Sequence, residues 1–121
     1  MSDFRSAPPF DGRNAAGKPV VNRPPVDPRI TPQVLAYLES APVILSARSY
    51  ATDDFDPGQR DVPLNYQTDG VFVWAGAVPH YLRKYGVPPE PSLVRHIVAK
   101  GFVVGEVDDA TLQAAVRSIT G

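Results

Sequence analysis

Proline placement limits this chain more than any other feature. Six of its fourteen prolines (Pro8, Pro9, Pro19, Pro24, Pro25, Pro28) fall in the first 29 residues, among few large apolar side chains. Each removes a backbone donor and fixes φ, so neither a helix interior nor a central strand runs through them. Residues 1–29 are therefore expected to form an extended arm, flexible unless bound. Residues 30–121 are expected to be a single domain, small but able to fold alone.

Within that domain the signals alternate between helix and strand. Thr31-Pro32 reads as a helix start, with Val34, Leu35 and Leu38 as its apolar stripe and Ala41-Pro42 as its end. Val43 to Ser49 alternates as a strand does. A helix follows with Ala77, Val78, Tyr81, Leu82 and Tyr85 on one face and Gly86 at its C-terminal end. Another buries Leu93, Val94, Ile97 and Val98 and ends at Gly101. Asp108 caps a last helix that buries Leu112, Ala115, Val116 and Ile119.

"Q-T-D-G-V-F-V-W", Gln67 to Trp74, places Asp-Gly between two alternating runs, a strong hairpin signal. A two-residue turn at Asp69-Gly70 pairs Thr68 with Val71, Gln67 with Phe72, Tyr66 with Val73 and Asn65 with Trp74. One face then carries Leu64, Tyr66, Val71 and Val73. The other carries Asn65, Gln67, Phe72 and Trp74. Either a helix covers those rings, or they form a partly open aromatic and amide platform of the kind that favours protein interfaces. The expected fold is α+β. A small, mainly antiparallel sheet from 43–49 and the 64–74 hairpin, with 102–104 as an optional further strand, packs with four short helices.

Charge and composition exclude several classes of function. Twelve basic residues against thirteen acidic ones give a net charge of −1, no footprint for nucleic acid or anionic lipid. No apolar run approaches the roughly 20 residues that span a bilayer. The beginning of the chain, with Asp3 and no apolar core, does not read as a secretory signal, and a cytoplasmic location is expected. Without cysteine there is no thiol catalysis, no disulfide and no Cys-ligated zinc. The two histidines, His80 and His96, lie on polar helix faces. No Gly-x-Ser-x-Gly elbow, His-Glu-x-x-His or phosphate-binding glycine run occurs. No cofactor and no metal are expected.

Charge is nevertheless unevenly placed. Residues 51–70 hold Asp53, Asp54, Asp56, Asp61 and Asp69 against Arg60 alone. The stretch "D-D-F-D-P-G-Q-R-D" lacks the Asp/Asn-Gly pair and distal glutamate of a calcium loop. It reads as a long loop, and such loops are more often functional than neutral spacers. The expected partner-binding set is Asp53, Asp54, Phe55, Asp56, Arg60 and Asp61 of the loop, with Asn65, Gln67, Phe72 and Trp74 of the hairpin.

"S-A-P-V-I-L-S-A-R-S-Y" and "T-D-G-V-F-V-W-A-G-A-V-P-H-Y-L-R-K-Y-G-V-P-P-E-P" resemble small uncharacterised actinobacterial proteins of polymorphic-toxin and immunity gene neighbourhoods. The resemblance covers most of residues 40–109 and carries no known chemistry, so no catalytic residue is transferred. It implies a non-catalytic binder, an immunity or inhibitor protein whose partner is a toxin. The net charge of −1 departs from the strongly acidic surfaces common among inhibitors of basic nucleases. A structural or regulatory subunit of a larger bacterial assembly is the first alternative. A small enzyme using the acidic 53–61 loop is the second.

Overall fold

Asp69 and Gly70 do turn the chain, but not as a two-residue hinge. In the computed structural model, which describes residues 4–120, Gly70 takes φ +96°. Asp69 Oδ1 accepts from the N–H groups of Val71 at 2.9 Å and Phe72 at 2.8 Å. Thr68 Oγ1 accepts from Gly70 N and donates to the Phe72 carbonyl. These local side-chain bonds draw two more residues into the turn. Thr68 consequently pairs with Val73, Gln67 with Trp74 and Tyr66 with Ala75, two residues away from the expected register. A slip of two leaves each side chain on its expected face.

The sheet is mixed, not mainly antiparallel. Its strands are β1 (Arg5–Ser6), β2 (Val43–Ala51), β3 (Val62–Thr68) and β4 (Phe72–Ala75), in the order β1-β4-β3-β2. β2 and β4 run antiparallel to β3, whereas β1 runs parallel to β4, with Arg5 opposite Phe72 and Ser6 opposite Val73. β3 is central and contains Pro63, which has no N–H for the ladder. β2 bulges there: Ser46 pairs with Asn65 and Tyr50 with Pro63, so residues 47–49 oppose Leu64 alone. The optional strand at 102–104 does not form. Gly101 (φ +65°) and Phe102 (φ +64°) instead close the preceding helix, Phe102 N donating to Ile97 O.

Four helices complete the fold: α1 (Thr31–Ser40), α2 (Ala77–Tyr85), α3 (Pro91–Ala99) and α4 (Asp109–Thr120). Thr31 is the first helical residue, and its hydroxyl donates to the Asp27 carbonyl instead of capping. Gly86 ends α2 with φ +73°, its N–H bonded to Leu82 O. Asp108 caps α4 through Thr111 N. None of these helices is long and apolar enough to cross a membrane.

The core lies between the inner face of the sheet and α1, α2 and α3. Val34, Tyr37, Leu38, Phe72, Trp74, Val78, Leu82, Leu93 and Ile97 are all buried there. The last carbonyls of a helix have no partner within it. Trp74 Nε1 donates to Leu38 O, and Gln67 Nε2 donates to Ala41 O at 3.0 Å. The amide and indole of the expected platform thus close the C-terminal end of α1.

The proline-rich head lies against the domain. Ala7 and Phe10 are buried. The Arg23 guanidinium, 1% exposed, donates to the carbonyls of Pro8, Pro9 and Pro88 and pairs with Asp11 at 3.0 Å. Prolines cannot donate to a ladder, but their carbonyls remain acceptors, and here they gather round one cation.

Candidate functional site

The acidic loop is folded onto α2 and is not an open anionic surface. Asp53 N donates to Gln59 O, Gln59 N to Asp56 O, and Asp53 Oδ1 accepts from Phe55 N. This places the Asp53 carboxylate, 0% exposed, against residues one turn apart on α2. Its Oδ2 is 2.9 Å from His80 Nε2 and 3.2 Å from Lys84 Nζ. Burial alone raises the Asp53 pKa. Hydrogen bonds from His80, the Phe55 N–H and Lys84 outweigh it, and the carboxyl is held well below the usual range. Desolvation lowers the Lys84 pKa, but Asp61 and Asp53 reverse the sign and hold the ammonium charged.

Asp61, Asp53 and His80 offer ligand atoms within 4.8 Å of one another. Lys84 Nζ stands 3.2 Å from Asp53 and 3.1 Å from Asp61, so its ammonium already bridges the two carboxylates. A divalent ion would have to displace it. As built, the cluster joins loop to helix, its two carboxylates sharing one ammonium.

Asp54 points to the other side of the loop. Both its oxygens meet Arg13 of the head at 3.0 Å, and its N–H donates to Tyr81 Oη at 2.9 Å. The Arg13 hydrogen bond holds Asp54 low, while burial first, then the charges of Asp54 and Asp53, push Tyr81 up to about 12. Phe55 packs on Phe10, Tyr81 and Tyr85 with centroids 5.0 to 5.9 Å apart, and keeps one side exposed. Asp56 is exposed. Arg60 Nε donates to Tyr50 O, a carbonyl that Pro63 opposite cannot bond.

The hairpin residues are divided by burial. Phe72 and Trp74 are 1% exposed and Gln67 is 3%, so all three serve the core and α1 and cannot present a contact surface. Asn65 is half-buried, its Oδ1 enclosed against Gly76. The opposite face of the ribbon is buried at Val62, Thr68 and Val73 and open between them, at Leu64 and Tyr66. Seven of the nine residues of β2 are exposed, and β2 is the unpaired edge of the sheet. Leu45 of β2, with Leu64 and Tyr66 of β3, show 39 to 43% of their surface there, whereas Val43 and Tyr50, each 53% exposed, pair with Gln67 and Pro63 and stand on the other face.

Leu45 and Tyr66 are direct cross-strand partners at the wall of a groove of about 590 Å³. Alanines 47, 51, 75 and 77 leave the space, Val62 and Phe10 form its apolar end, and the Arg13–Asp54 pair lies at its rim. Such a volume and lining are typical of binding sites. Leu64 and Tyr66 could be placed on this face from the sequence. Their exposure could not, because it depends on where α4 and the head lie. One local signal was available: Pro63 inside a strand marks an irregular neighbour, and that neighbour is the open one. Compared with family models, curated proteins and solved structures, the chain has no match in any of the three.

Proposed function

We propose that the protein works by contact, as a stoichiometric, non-catalytic binder of a protein partner. Leu45, Leu64 and Tyr66 are its central contact residues. The observation that supports this reading is the gathering of large exposed apolar side chains on an unpaired edge ribbon beside an apolar groove. Soluble chains rarely leave such a patch open without a use for it. The opposite face, which holds the rings, is closed by helices. The resemblance noted above extends the proposal to an immunity or inhibitor role, with a toxin as partner.

The acidic loop then has a supporting part. Asp54 pairs with Arg13 while Asp53 and Asp61 share Lys84, and the loop shapes one end of the groove through Asp54 and Thr52. The test is affinity capture by the full chain and by a Leu45→Glu/Tyr66→Glu double variant, alongside circular dichroism and thermal melting. Loss of a partner retained by the parent chain, with spectrum and melting unchanged, is the expected result. Equal retention by both proteins would defeat the proposal.

A further inference from the structure

We infer that residues 11–22 of the head are a hinged flap, latched at the rim of the groove by Arg13 and Asp54, and that opening of the latch admits the partner. The movement rests on the geometry of the head alone. Its use rests on the contact reading above.

Three observations lead to it. The first is that the flap is folded on itself. Asp11 N donates to Val20 O and Val20 N to Gly12 O, both at 2.8 Å, and Asn14 N donates to Lys18 O at 3.0 Å. Asn14 Oδ1 accepts from Ala16 N and Lys18 N across the tip, where Gly17 takes φ +76°. Every residue from 11 to 22 except Pro19 is exposed. A two-stranded ribbon without a sheet beside it is only marginally held, so it bends at little cost.

The second is a fixed root. Phe10 is buried, its ring 4.9 Å from that of Tyr81. The Asp11 carboxylate accepts from Asn22 N and Arg23 Nε, and the buried Arg23 guanidinium reaches Pro88 O at 3.1 Å. The flap therefore leaves and rejoins the head at one anchored point, the layout of a hinge.

The third is a single latch. Among the described residues, Arg13 alone joins the flap to the domain by hydrogen bond or ion pair, meeting both Asp54 oxygens at 3.0 Å. The two side chains are 48% and 30% exposed, and a pair so exposed is weak and screened by salt. Both residues border the groove. Release takes Arg13 off the rim and bares the Asp54 carboxylate beside the Tyr81 hydroxyl.

The chain has no cysteine, so paired spin labels report only where they are placed. Ala16→Cys at the tip and Arg95→Cys on α3 are exposed positions for them. Pulsed electron–electron resonance should show two distance populations, latched and open. Asp54→Asn, Arg13→Gln and about 1 M NaCl should each shift their ratio about threefold towards the open one. A single population, the same in the parent chain, both variants and high salt, would overturn the inference. Both variants should also capture more partner than the parent, because a larger share of molecules is competent. If the flap moves but capture does not rise, its gating role falls and the contact face stands. If Leu45→Glu/Tyr66→Glu keeps its partner, the contact reading falls, and the gating role with it.

Discussion

The hydroxyl of Tyr37 lies 2.5 Å from Oδ2 of Asp69, joining the middle of α1 to the turn between β3 and β4. The same oxygen is 2.9 Å from His96 Nε2 on α3, without the alignment of a hydrogen bond. One carboxylate, 1% exposed, therefore binds two N–H groups of its own turn and faces two helices. Burial, then the bond to Asp69 and its charge, push the Tyr37 hydroxyl well up from its ordinary pKa.

Asp69→Ala should cost roughly 3 kcal/mol in urea denaturation, because bonds to a charged acceptor are lost and buried donors are left unpaired. Tyr37→Phe removes one of these bonds and should cost about 1.5 kcal/mol. Equal stability of Asp69→Ala and the parent would show that the turn holds without its side chain.

Stability should depend on pH through Asp53 and Lys84. The folded-state pKa of Asp53 is depressed, so its contribution is present above the unfolded carboxylate value near 3.9 and is lost as pH falls towards the folded value. That of Lys84 is raised, so its contribution is present below about 10.4 and is lost as pH rises further. Urea midpoints across pH 2 to 11 should fall at both ends for the parent chain. Asp53→Asn should flatten the acid limb, and a parallel displacement of the whole curve would contradict the assignment.

Trp74→Ala should destabilise the fold by about 3 to 5 kcal/mol, as removal of a large buried aromatic does. Trp74→Phe, which mainly loses the indole bond to Leu38 O, should cost nearer 1 to 2 kcal/mol. Any loss of partner binding in Trp74→Ala should track its unfolded fraction in the same denaturation series. A folded Trp74→Ala protein that has lost its partner would put the contact surface on the wrong face.

Gly76 has an ordinary helical φ of −59°, so its need for glycine is one of space. A Cβ there would come 2.0 Å from Asn65 Oδ1 and 3.1 Å from the Pro63 side chain. Gly76→Ala should cost about 1 to 3 kcal/mol, and Asn65→Ala in the same chain should recover part of it. A double-mutant cycle with no coupling would show that Pro63 alone sets the limit.

Local chemistry was legible in the sequence, and long-range pairing was not. Gly86, Asp108 and the Asp69-Gly70 turn act on backbone within a few residues, and each ends, starts or turns an element as expected. The two faces of the hairpin were also legible, since alternation survives a slip of two. The register was not, because Asp69 and Thr68 bond the turn by side chain. The mixed sheet depends on Arg5 meeting Phe72 far along the chain, which no periodicity records. The acidic loop looked like surface because its counter-charges, Arg13 and Lys84, come from the head and from α2. The spacing of His80 and Lys84, four apart on one helix face, was the available hint that both serve one acceptor.

The two flanks of the sheet are unequal. At one, a two-residue strand from the head pairs with β4 along Phe72 and Val73; at the other, β2 has no strand beside it. The head strand therefore covers β4 at Phe72 and Val73 and leaves β2 as the longer edge of the sheet.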